Sequence, residues 1–412
     1  MLLSNALFGL ASVAACAEAA SKIPMDLGSV LQRHEKLTTY YKLIQKYPEI
    51  LMQLPNYKGV TIIAPSDDAF KQIPYSALSN VWDSDQKNTT IPLLQYHILQ
   101  GTIRTDKLEA GPAYVRPTLL TDPAWCNVSH GQNILITKQP DVVVFSTRLG
   151  SRATVLNNDI EFQGGIIQIV DSVLVPPSGI GQVLTASKVQ SFLGGLYDSK
   201  LMPNVGNRKD VTIFAPRDQA MEAIGGTLAK LDTKQLARVM GYHVIPGKVL
   251  VSSDLENATF LETLADGQKV HVRQIGNEKF VNSAKIISTD ILLSNGILHI
   301  ISNVNNPLAP NAAPDPDRWA QAPVFHRSEV DNVFQTAIPC TTNCMNNVYM
   351  TPKATAAPTP TRRVGENAAA MTPGSSSFFS SSSSGVAGAR ATVHVAGAAL
   401  GILGVGAGMA LL

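Results

Sequence analysis

The side chains with the widest chemical range in this chain come in duplicate. A Tyr-His pair stands at Tyr96 and His97 within QYHILQG and again at Tyr242 and His243 within GYHVIPG. An imidazole titrates near neutrality and offers a nitrogen on each side of its ring, so such a pair suits ligand contact, proton transfer or the bridging of two backbones. Carboxylates recur as well: Asp67 and Asp68 in VTIIAPSDDAF (60–70), Asp218 in VTIFAPRDQAM (211–221), and Asp171 in the first half only. Acid–base catalysis needs two such groups at a working separation, and neither Asp67 nor Asp218 has a partner spaced for it. The chain has no G-x-S-x-G elbow, no H-E-x-x-H, no phosphate loop with lysine and no recurring Cys and His pairing, so no enzyme activity and no cofactor are expected. Cys340 and Cys344 form a C-x3-C pair without a nearby histidine, too few ligands for a metal. They read as a disulfide, which leaves Cys126 free and buried, with a bridge from Cys126 to that pair as the competing arrangement.

The positions of these groups narrow their roles. Each histidine is followed by apolar residues (Ile98 and Leu99, Val244 and Ile245) where a helix passes into a strand, which favours a brace between backbones over a docking residue. The tyrosine rings then belong to the core, with a hydroxyl reaching a buried partner. Asp67 and Asp218 follow a β-branched run and a proline, so a helix cap or a first-turn partner of the helix dipole is preferred to a polar site. Asp171 either lies beside them or satisfies a backbone group.

The elements that must position these groups also repeat. VTIIAPSDDAF and VTIFAPRDQAM lie 151 residues apart, and QYHILQG and GYHVIPG 146. A third pair, NDIEFQGGIIQIVDSVLVPP (158–177) and TDILLSNGILHIISNVNNPL (289–308), keeps the order at a shorter spacing. The first copy carries the extra residues, and TDPAWCNVSHG (121–131) looks like an inserted loop. Helical spacing over 27–47 and over 183–201 places helices ahead of each copy's first strand, while the strands after each Tyr-His pair follow without room for crossover helices. The class is α+β, in two copies at 24–178 and 180–308. In the second copy Met221, Ser302 and Asn305 stand where the first has Phe70, Asp171 and Leu174.

These three blocks, in this order and twice over, resemble the fasciclin (FAS1) domain family. The resemblance implies two tandem domains, each a β-wedge of mostly antiparallel strands packed with several helices, and a role in cell adhesion or matrix contact. It also makes Tyr96, His97, Tyr242 and His243 the candidate binding motif, since the family associates this motif with receptor contact.

The flanks point to the cell surface. MLLSNALFGLASVAACA (1–17) is an apolar run with Ala15 and Ala17 in a small-x-small pattern, a secretory signal peptide. Sequons at Asn88, Asn127 and Asn257 are N-glycosylation candidates. From 309 to 385 the composition turns to Pro, Ser and Thr, predicting an extended stalk. The tail from 386 to 412 matches a glycosylphosphatidylinositol signal with attachment at Ser383, a retained transmembrane helix being the alternative. The expected place is the extracellular face of the plasma membrane or the cell wall; the alternative is the vacuolar membrane, with a ligand-binding or membrane-trafficking role in the vacuole or cell wall and the transmembrane tail retained. A net charge of +2 from 33 basic and 31 acidic residues leaves no footprint for nucleic acid. The expected partners are a surface or matrix protein or polysaccharide, the membrane through a lipid anchor, and weakly a second copy.

Overall fold

The computed structural model describes residues 25–339 apart from 57, 58 and 80. The signal segment, Cys340 and Cys344, Ser383 and the C-terminal tail lie outside the described residues.

The first module opens with helices α1 (Leu27–Arg33) and α2 (Thr38–Lys46), followed by strand β1 (Val60–Pro65), α3 (Asp67–Lys71) and α4 (Lys87–Tyr96). Strands β2 (Ile98–Gln100), β3 (Ala113–Pro117), β4 (Asn133–Lys138), β5 (Val143–Ser146), β6 (Arg152–Phe162) and β7 (Gly165–Val170) complete it. The second module repeats the plan. It runs α5 (Ile180–Ala186), α6 (Gln190–Asp198), α7 (Met202–Asn207), β8 (Val211–Pro216), α8 (Asp218–Glu222), α9 (Gly225–Leu228) and α10 (Thr233–Gly241). Then come β9 (Val244–Pro246), β10 (Phe260–Glu262), β11 (Lys269–Ile275), β12 (Glu278–Val281), β13 (Ala284–Leu293) and β14 (Gly296–Ile301).

Each module builds one seven-stranded sheet, in the orders β2-β1-β7-β6-β5-β4-β3 and β10-β11-β12-β13-β14-β8-β9. The two orders are the same topology. The first and last strands of each module pair in parallel one place in from the β2 or β9 edge, Val60 against Gly165 and Val211 against Gly296, and the other ladders are antiparallel. This pairing explains why VTIIAP and VTIFAP are apolar throughout: the strand is buried on both faces. Val60, Ile62 and Ala64 pack under the helices, while Ile63 joins Tyr96 and Phe145 on the other face. Val211, Ile213 and Ala215 repeat the first role and Phe214 the second.

The helical stretch expected over 27–47 is two helices with a break at His34, whose backbone is extended. The buried positions give the reason. Leu27, Val30 and Leu31 form one stripe, and Tyr40, Leu43 and Ile44 form another displaced by one residue, so a continuous helix would turn one of them away from the sheet.

Two expectations change. The inserted loop is the joint between the modules: residues 118–132 connect β3 to β4, where 263–268 suffice in the second copy. Trp125, Cys126 and Val128 anchor it in the first module's core. Asn127 N–H donates to Ser294 O (2.7 Å) and its Nδ2 to Asn207 O (3.0 Å). The Asp210 carboxylate takes Ser129 N–H (2.7 Å) and the Ser129 hydroxyl, and the buried Gln132 amide donates to Leu293 O and Ser294 O, both at 3.2 Å.

The second change concerns the expected start of the stalk. Residues 309–339, assigned to an extended stalk, lie against the second module as a strap. Ser328 N and Val330 N donate to Ala223 O (3.0 Å) and Glu222 O (2.9 Å), Gly226 N donates back to Ser328 O (2.8 Å), and Val333 is buried in the core. Gly194 and Gly225 permit this approach, since a Cβ at either would collide with Phe334 or Val330. A few apolar side chains and a glycine-faced helix hold a segment whose composition alone reads as unfolded.

Candidate functional site

The Tyr-His motif sits where α4 ends and β2 begins, and where α10 ends and β9 begins. The four side chains are between 0% and 1% exposed. His97 Nε2 accepts from Leu174 N (2.9 Å), which fixes the proton on Nδ1, and that nitrogen donates to Leu93 O (2.7 Å). His243 repeats this geometry with Asn305 N (2.9 Å) and Val239 O (2.8 Å). Each ring ties the last turn of a helix to the chain leaving the terminal strand, contacts separated by 77 and 62 residues. Burial pulls both imidazoles down to about 4, against a smaller upward pull from the Leu93 and Val239 carbonyls. They are neutral braces with both nitrogens occupied. The exchange of Leu174 for Asn305 leaves the brace intact because the histidine reads the backbone N–H.

The tyrosines are core residues with engaged hydroxyls. Tyr96 donates to Asn133 O (3.0 Å) and Tyr242 to Lys269 O (2.9 Å), the latter also accepting from Asn282 Nδ2 (3.0 Å).

Asp67 and Asp218 hold first-turn positions in α3 and α8, yet their carboxylates serve other helices. Ser66 caps α3 through Ala69 N (3.2 Å), while Asp67 accepts from Thr38 N (3.2 Å) and Thr39 N (2.6 Å) at the start of α2. Asp218 accepts from Ser191 N (2.8 Å) at the start of α6. Burial pushes both acids up. At Asp67 the bonds from Thr39 and Thr38 outweigh it and the pKa falls, whereas at Asp218 burial prevails. Asp171 takes the backbone-satisfying role, accepting from Thr154 N (2.8 Å).

A second polar pair escaped the sequence reading. Asp159 and Asp290 occupy equivalent left-handed positions (φ 54° and 60°) in bulged stretches of β6 and β13. Asp159 accepts from Thr105 N (3.0 Å), Thr105 Oγ1 (2.5 Å) and Gln168 Nε2 (2.8 Å). Asp290 accepts from Ser252 N (2.7 Å) and from the Ser252 hydroxyl. Both pin the loop after the short strand to the long hairpin. Their signal was present in the third repeated block, where Asp is shared at the second position.

A solvent-facing cleft of the first module lies elsewhere. A cleft of about 460 Å³ opens between the segment following α3, the β5–β6 turn and residues 172–175, with Gln72, Tyr75, Arg148, Ser151, Arg152 and Ser172 among its lining. Tyr75 is 86% exposed. Among the described residues no group of three His, Cys, Asp or Glu side chains converges to hold a metal ion.

The Fasciclin domain model matches this chain twice, over residues 35–176 and 187–307. The chain belongs to the fasciclin family. Among similar fasciclin proteins, a fasciclin-like arabinogalactan protein of Arthroderma benhamiae is 28% identical over 294 residues, covering 71% of this chain and 69% of the relative. Transforming growth factor-beta-induced protein ig-h3 of Oryctolagus cuniculus is 30% identical over 188 residues, covering 44% and 27%. A solved FAS1 domain pair from the insect cell adhesion molecule Fasciclin I is 19% identical with a TM-score of 0.32, covering 66% of this chain and 97% of that one.

Within the fasciclin modules the three sequons differ. Asn88 is exposed at the start of α4. Asn257 is exposed, with its Oδ1 accepting from Gln274 N (2.9 Å). Asn127 spends its amide nitrogen on the joint between modules. Cys126 beside it is buried and bridged to no cysteine among the described residues, and that burial pushes its thiol up to about 11.

Proposed function

We propose that this chain is a cell-surface adhesion or matrix-contact protein that works through its two fasciclin modules, held at the extracellular face of the plasma membrane or in the cell wall by a stalk and a lipid anchor. The observation that carries the reading is the duplicated fasciclin fold bonded into a pair by residues 118–132. Two contact surfaces held by one chain raise the effective concentration of the second contact once the first is made, which suits weak, multivalent attachment. The name of a relative supports it, that of a fasciclin-like arabinogalactan protein. A surface or matrix protein or a polysaccharide is the proposed partner.

The proposed contact residues are not the Tyr-His pairs. Those side chains hold the fold, and the contact falls to exposed groups around them.

Treating intact cells with a phosphatidylinositol-specific phospholipase tests the anchor and an attachment assay tests the role. Release of the protein together with loss of cell attachment is expected. Unchanged attachment in cells lacking the protein would sink the adhesion reading, and a mature C-terminus that retains residues 386–412 would replace the lipid anchor with a membrane-inserted tail.

A further inference from the structure

The two modules treat one surface in opposite ways. In the second module the carbonyls of Glu222 and Ala223 and the N–H of Gly226 bind the strap through Val330 and Ser328. The same surface in the first module runs from Lys71 to Ser76, given the 151-residue offset of the first repeated block. There Pro74 has no N–H to offer, and Tyr75 N turns inward to Gln72 O (3.0 Å). A peptide strap cannot pair with this surface as it does in the second module. What faces the cleft instead is a set of side chains: a phenol ring, an amide, hydroxyls and two guanidinium groups.

The guanidinium groups are the informative members. Arg148 is half-buried and held by Gln182 Oε1 (3.0 Å), and burial works against its charge. The arginine ion pairs among the described residues are those of Arg104, Arg318 and Arg327, so neither Arg148 nor Arg152 is neutralised by a described carboxylate. The nearby Asp171 carboxylate is turned to Thr154 N. The turn that carries Arg148 is built for its shape. Leu149 and Gly150 take left-handed conformations (φ 49° and 78°), Thr147 N donates to Ser151 O (2.9 Å), and Ser151 N donates to Arg148 O (2.8 Å). The second module passes the same place with Asn282 and Ser283 between β12 and β13, and has no such turn.

We propose that this cleft is a subsite for an acidic oligosaccharide, with Arg148 and Arg152 pairing with its carboxylates, Tyr75 lying against the apolar face of a sugar ring, and Gln72, Ser151 and Ser172 meeting its hydroxyls. A partly desolvated guanidinium gains most from a planar carboxylate, which it can bind through two parallel hydrogen bonds. An exposed aromatic ring beside hydroxyl and amide groups suits a ligand that is apolar on one face and hydroxylated at its edge. The inference deepens the contact reading and rests on it for its biological setting, by naming one ligand class and one module.

Calorimetric titration of the full chain with an oligogalacturonate, an uncharged glucan oligomer of equal length and a polyglutamate peptide tests it. Binding of the oligogalacturonate alone is expected, weakened about tenfold or more by Arg152→Ala and by Tyr75→Ala, as for loss of a charge-assisted contact. Lys234→Ala, on the exposed side of α10, should leave it unchanged. Both cleft residues are exposed, and an unaltered unfolding midpoint would show that the variants are folded. Absence of binding, binding by either variant as tight as that of the native chain, or equal affinity for polyglutamate would overturn the subsite. If cells carrying Arg152→Ala and Tyr75→Ala attach normally while cells lacking the protein do not, the subsite fails and the contact reading stands. If neither loses attachment, both fail.

Discussion

Acidification is the perturbation that tests the brace most directly. His97 and His243 have pKa values pulled down to about 4 from an ordinary 6.5, so between these values the unfolded chain binds more protons than the folded one. The stability they contribute is therefore complete above pH 6.5 and is lost as pH falls toward 4. Integrated from pH 7 to pH 5, each histidine gives a loss of about 2 kcal/mol, one pKa unit being about 1.4 kcal/mol. With a urea dependence of about 1–3 kcal/mol per molar for a module of this size, the midpoint should drop by roughly 1 M. His271 and His299, also lowered chiefly by burial, add to the slope. The lowered carboxylates Asp67 and Asp159 start from 3.8 and lose their contribution only below that value, outside the window. Asp218 is raised and acts in the opposite sense. Urea unfolding at pH 7 and pH 5 should be compared for the native chain and the double variant His97→Asn, His243→Asn. The variant will be less stable at both values, so the readout is the difference between them, which should shrink markedly. A difference as large as that of the native chain would refute the assignment of the pH dependence to these rings.

Two further outcomes follow from comparing the modules. Asn305 is 1% exposed with neither amide atom partnered, where the first module has a buried Leu174; Asn305→Leu should therefore stabilise the second module by about 1–3 kcal/mol in thermal or urea unfolding, and a loss of stability would show that the amide is satisfied. Gly194→Ala should push the Phe334 carbonyl off α6, so limited proteolysis would cut within residues 326–339 in the variant and not in the native chain; continued protection would mean that the strap does not depend on that contact.

Much of the site was legible in the primary structure because duplication supplies its own control. The two Tyr-His pairs share their local neighbourhood, a helix end before an apolar strand, and that was enough to favour the brace. Asp67 illustrates where local reasoning stops. Its residue type and its place after Pro65 predict a cap, and it is one, but for α2, because the first turn of α3 lies beside the N-terminus of α2. Ser66, adjacent in sequence, takes the local role. Asp159 and Asp290 were visible as a shared letter in the third block, yet their partners Thr105 and Ser252 lie in loops with no common motif. A left-handed bulge residue announces itself in backbone angles and not in composition.

The amino-acid sequence by itself determined the repeated α+β plan, its core strands and the place of the histidine braces. Each of these follows from short-range patterns, in which apolar runs, proline stops and small polar caps act over a few residues. Only the tertiary structure decided what joins the parts. Whether TDPAWCNVSHG is a loose insertion or a joint depends on Ser294, Asn207 and Asp210 arriving opposite it. Whether residues 309–339 hang free or lie as a strap depends on the glycine-faced surface of α6 and α9. The cleft beside Tyr75 stands open where the second module carries the strap, and its Arg148 and Arg152 reach it from a turn more than seventy residues away. These are contacts between residues far apart in the chain, set by the packing of whole elements, and no local pattern encodes which surfaces will meet.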